Sequence, residues 1–85
     1  MADVTVQGLV DYLEIKGGIG QGGIRPEGGG PVDNISLWFT PFEPITFLRL
    51  LQFSLLKQAA ANGHKVFVAH PDTSSYVTRV KLILP

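Results

Sequence analysis

The sequence predicts a mainly β domain of five strands and one helix, with the strands curling into a barrel. Three observations lead there. Segments rich in β-branched and aromatic residues lie toward both ends of the chain. One central stretch, Pro44 to Asn62, repeats its apolar residues at helical spacing. That helix falls directly before a closing pair of strands. The 85 residues make a single domain, because a chain this short builds one hydrophobic core. With 45% hydrophobic and 16% charged residues, it has the apolar surface to fold and too little charge for disorder.

Val4 to Lys16 reads as one long strand, with Val4, Val6, Val10 and Tyr12 on one alternating face and Leu9, Leu13 and Ile15 on the other. Gly8 marks the expected bulge or bend, where a barrel strand passes from one side to the other. Residues 17–30 hold eight of the ten glycines and Pro26, and are read as a Gly-rich loop. A short strand around Gly22 to Arg25 is expected inside it, since an open loop of that length is long for a compact domain. Asn34 to Thr40 alternates cleanly, with Ile35, Leu37 and Phe39 on one face and Ser36 and Trp38 on the other.

Pro41 to Pro44 ends that strand and opens the helix, since proline suits the first helical turn and not a ladder interior. The helix is expected to run from Pro44 to Asn62, with Gly63 as its left-handed C-cap. Ile45, Leu48, Leu51, Leu55, Leu56 and Ala59 form the stripe expected to face the sheet. Phe47, Leu50 and Phe53 then fall on the outer side. His64 to Ala69 and Tyr76 to Leu84 read as the final two strands, Val80, Leu82 and Leu84 pointing one way, joined by the turn chemistry of residues 70–75.

A helix between the third and fourth of five strands is the element order of an OB-like barrel. An α+β sandwich, with the helix on one face of an antiparallel sheet, is the alternative. The hydrophobic pattern of Val6-Gln7-Gly8-Leu9-Val10, of Leu55 to Val66 and of Val80-Lys81-Leu82 resembles the small OB-fold binding subunits of bacterial toxins. Those subunits usually carry a cysteine pair and a secretion signal, and this chain shows neither. The resemblance implies a ring-forming module that binds sugars, and it carries over no binding residue.

Composition excludes several functions. The chain has no cysteine, which removes disulfides and thiolate metal sites. Seven basic residues balance seven acidic ones, without any basic run, so a nucleic-acid partner is not expected. No basic stretch followed by an apolar one opens the sequence, so no signal peptide is visible and the cytoplasm is the default compartment. Arg49, Gln52 and Lys57 break the most apolar segment, which excludes a membrane span.

Gly18-x-Gly20-x-x-Gly23 has the letters of a dinucleotide fingerprint, but no helix follows to receive a phosphate. His64, His70 and Asp72 lack the spacing and number of ligands of a zinc site, and His70, Asp72 and Ser74 or Ser75 lack that of a triad, which leaves a solvated turn. No cofactor, metal or catalytic residue is therefore expected. Asn34-Ile35-Ser36 is a glycosylation sequon that falls within a strand.

The aromatic and apolar surface residues carry more. Trp38, opposite the inward face of its strand, is a stacking platform for a sugar ring or a base, with Tyr12 and Arg25 as its companions. The competing reading packs Trp38 under the Gly-rich segment or the N-terminal strand. Phe47, Leu50 and Phe53 form an apolar patch of a kind that monomers avoid, hence an interface with another copy or a partner protein; the alternative is that the Gly-rich segment or Phe42 folds over that side. The expected function is a non-enzymatic, self-associating binding module, with carbohydrate as a possible ligand. The alternatives are a single-stranded nucleic-acid-binding OB domain and a structural subunit of a larger assembly.

Overall fold

The computed structural model describes residues 3–39 and 44–84. Six elements follow in the order β1 (Asp3–Lys16), β2 (Ile19–Pro26), β3 (Asp33–Trp38), α1 (Pro44–Asn62), β4 (Lys65–Pro71) and β5 (Arg79–Ile83). The strands form one antiparallel sheet in the order β3-β2-β1-β4-β5. The long β1 is its spine. Asp3 to Leu9 pair with β4, and Gly8 to Lys16 pair with β2.

Gly8 lies where the two ladders overlap, and a Cβ there would collide with the carbonyl oxygen of Arg25. Close approach of a neighbouring backbone is therefore what demands this glycine, and the expected bulge lies elsewhere. The ladder shifts between Val10 and Tyr12, leaving Asp11 as the extra residue. Val6 and Val10 before the shift and Leu13 after it all pack against the core. A one-residue insertion reverses the face of every side chain beyond it, so Tyr12 lies on the outer face and not with the valines.

The Gly-rich loop is the largest correction to the sequence reading. Ile19–Pro26 is a full strand between β1 and β3, and Gly20, Gly22 and Gly23 within it are buried. A Cβ on Gly20 would lie 3.0 Å from the rings of Phe39 and Phe53, and one on Gly22 would lie 2.8 Å from Leu13. These glycines make room for neighbouring side chains. The connection from β1 is a tight turn at Gly17, whose φ of 62° suits glycine.

Helix α1 starts at Pro44, in the first-turn position where its missing N–H costs nothing. It ends as expected: Gly63 is left-handed, and the His64 N–H donates to the Ala59 carbonyl at 3.0 Å. Thr40 and residues 41–43, on which the strand-to-helix punctuation partly rests, lie outside the described residues. The buried helical side chains are Phe53, Leu56 and Ala59. Phe53 is 7% exposed and meets Phe39 edge to face, with centroids 5.9 Å apart. Ile45, Leu48 and Leu51, expected to face the sheet, are exposed instead. The sheet-facing side is therefore rotated toward Phe53, which fits against the space that Gly20 leaves.

Six fully buried aliphatic side chains from both layers, Ile24, Ile35, Leu37, Leu56, Val66 and Val68, centre the core. Burial stabilises each by about 1.5–3 kcal/mol. Leu84, expected beside Val80 and Leu82, is exposed. The fifth strand is shorter than Tyr76 to Leu84, because Tyr76 leaves the hairpin to form a parallel bridge with Ser36 of β3. Ser36 N donates to Ser75 O at 2.8 Å, and Val77 N donates to Ser36 O at 3.0 Å. This isolated bridge spans the two edges of an otherwise open sheet. Five strands and one helix stand, and the sheet is not closed into a barrel by a continuous ladder. No helix is long and apolar enough to cross a membrane among the described residues.

Candidate binding surfaces

The pairing register sets three strands side by side on the outer face of the sheet. Trp38 is level with Ile19 and Lys16, Ser36 with Gln21 and Glu14, and Asn34 with Gly23 and Tyr12. Arg25 continues the outer row of β2. All three sequence-predicted ligand residues thus share one face, and the bulge at Asp11 is what brings Tyr12 to it.

Tyr12 is held there on two sides. Its hydroxyl donates to Asn34 Oδ1 at 2.8 Å, and its ring occupies the space above Gly23, where a Cβ would collide with it. Trp38 is 49% exposed, beside its cross-strand partner Ile19. Arg25 pairs with Asp11. Trp38 and Tyr12 are two strands and four residues apart, about 10 Å across the sheet and about 13 Å along it. They cannot sandwich a single ring. Lys16 and Arg25 offset Glu14 and Asp11 on this face, so it offers polar groups and flat apolar ones without a net field.

The second surface is the N-terminal half of α1. Phe47 (66% exposed), Leu50 and Leu51 lie on the side away from Leu56, followed by the polar Ser54, Lys57 and Gln58. Ile45 and Leu48, on the inward side, border a groove of about 290 Å³ whose far wall is Tyr76, Val77 and Thr78. Arg49 spans this groove's margin. Its guanidinium donates to the Trp38 carbonyl at 2.7 Å and lies 4.7 Å from the centre of the Tyr76 ring. Of the three predicted interface residues, Phe47 and Leu50 are on the surface. Phe53 is not, because it belongs to the core.

His70 is not in a solvated turn. It is 7% exposed, with Nε2 2.8 Å from Asp33 Oδ2 and Nδ1 2.8 Å from the carbonyl oxygens of Pro71 and Ser74. Burial disfavours its charged form, but the Pro71 carbonyl, the Asp33 carboxylate and the Ser74 carbonyl together outweigh it and raise its pKa above 6.5. The Ser74 hydroxyl accepts the Tyr76 N–H at 3.1 Å and is not aimed at the ring. No triad and no group of three metal-ligating side chains assembles among the described residues.

Sequence reasoning missed Asp33. Its signal was present, since Asp33 shares the alternation of Ile35 and Leu37, and an acid on an inward row calls for a partner. No protein-family model, curated protein or solved structure matches this chain.

Proposed function

We propose that the chain is a non-enzymatic, self-associating binding module. In this reading α1 makes the contact between copies, and the outer face of β1, β2 and β3 receives a ligand. One observation carries it: the first turns of α1 leave Ile45, Phe47, Leu48, Leu50 and Leu51 exposed together. Contiguous apolar surface of that kind marks interaction sites on soluble proteins. A formal charge of zero gives two copies no long-range repulsion to overcome.

For the ligand, flat ring faces at two separated points with polar side chains between them suit an extended, uncharged chain such as an oligosaccharide. The balanced charge of the face argues against a phosphate backbone. The parallel bridge between Ser36 and Tyr76 supports reading the sheet as an OB-like barrel sealed at that point. A structural subunit would use the same helix against a different protein.

Sedimentation velocity decides the central point. The wild type is expected to sediment as an oligomer, and Phe47→Glu and Leu50→Glu as monomers with unchanged circular dichroism. A wild type that stays monomeric at high concentration overturns the proposal. Phe53→Asp is unsuited to this test, since it places a charge in the core. For the ligand, a glycan array is expected to give signals that Trp38→Ala abolishes; signals indifferent to that change remove Trp38 from the site.

A further inference from the structure

His70 is the buried polar side chain of the core margin, and both its ring nitrogens face acceptors. Nδ1 meets the carbonyls of Pro71 and Ser74, and Nε2 meets the Asp33 carboxylate. A neutral imidazole has one N–H and one lone pair, so in this cradle it would turn a lone pair toward an oxygen lone pair. Only the doubly protonated ring satisfies every contact. The charge in contact with the ring agrees with that state: it is the Asp33 carboxylate, from β3. Asp3 of β1, level with Pro71, and Arg79 of β5, level with Ala69 and 5.6 Å from the Phe67 ring centre, belong to the other face of the sheet.

The ring's contacts join distant parts of the chain. Asp33 opens β3, and Ser74 adjoins Ser75, which begins the bridge to Ser36. We infer that His70 is a proton-operated latch: as an imidazolium it fastens the turn after β4 to the start of β3, and loss of one proton releases the turn and with it the bridge between the sheet's edges. The released segment, Tyr76 to Thr78, is also the wall of the groove facing Ile45 and Leu48. Protonation of one side chain is thereby felt at the helix. The latch does not depend on the self-association reading.

The test combines nitrogen-15 NMR of the His70 ring with amide hydrogen exchange, from acid to mildly alkaline pH. Both ring nitrogens are expected to carry protons at the acid end. As the ring titrates, the protection factors of the Ser36 and Val77 amides are expected to fall several-fold while Ile24 in the β1–β2 ladder holds. Asp33→Asn is the decisive variant, because its side-chain amide can donate to Nε2 and so suits a neutral ring. Its Ser36 and Val77 protection is expected to be indifferent to pH. A neutral His70 ring throughout overturns the latch. So does protection at Ser36 and Val77 that is unmoved while the ring titrates, or an undiminished pH response in Asp33→Asn. Should the variant fail to fold, the wild-type titration decides alone.

Discussion

Gly20 and Gly28 lack side chains for unrelated reasons, and substitution separates them. A Cβ on Gly20 meets three ring carbons of Phe39 and Phe53 at 3.0 Å, so the rings must shift to admit it. Gly20→Ala is expected to cost about 1–3 kcal/mol, the range for overpacking a core. Gly28 has nothing within 4 Å of its would-be Cβ, and Gly28→Ala is expected to stay within about 0.5 kcal/mol of the wild type. Urea unfolding of the two variants checks both. Equal losses would mean that Gly20 does not lie against the rings. Composition marks glycine richness but not its cause, because a glycine that clears space for a ring and one that bends a loop are the same letter. Their difference depends on Phe39 and Phe53, far along the chain.

At the level of elements, α1 shows where a helical wheel loses its power. Its ends and its cap were legible, since Pro44 and Gly63 act through local backbone chemistry. Its buried face was not legible, because the polar residues of the first turns, Thr46, Arg49 and Gln52, are spaced to fall on the same side as Leu56 and not opposite it, so the wheel points the wrong way there. Tertiary packing against Gly20 selects Phe53. Phe53→Ala is accordingly expected to cost about 3–5 kcal/mol, and Phe47→Ala under about 0.5 kcal/mol in the monomer. Thermal and urea unfolding at low concentration measure the pair. A costly Phe47→Ala with a tolerated Phe53→Ala would restore the face that periodicity suggested. The candidate ligand face was more readable: the alternation of β3 gave Trp38 its outward direction. Tyr12 reached the same face only through the bulge at Asp11, which no local letter announces.

For the molecule as a whole, His70 ties stability to acidity. Its folded pKa lies above the unfolded value of 6.5, so its contribution is fully present below pH 6.5 and is lost as pH rises through the folded value. The wild type is expected to melt at a higher temperature at mildly acid pH than at mildly alkaline pH. His70→Gln is expected to lose most of that difference, and an unchanged difference in the variant would assign it to other groups. The topology carries a further consequence through β1. Pairs as remote as Asp3 with Pro71 join its first half to β4, whereas Gly8 to Lys16 close on β2 after a short turn. Loop closure over that longer span is slow compared with a local hairpin. During synthesis the spine therefore waits half-paired, its apolar row open to other nascent chains, until the residues beyond the helix have emerged. The interval in which this protein is most exposed to aggregation is set by the distance between two strands that end up as neighbours.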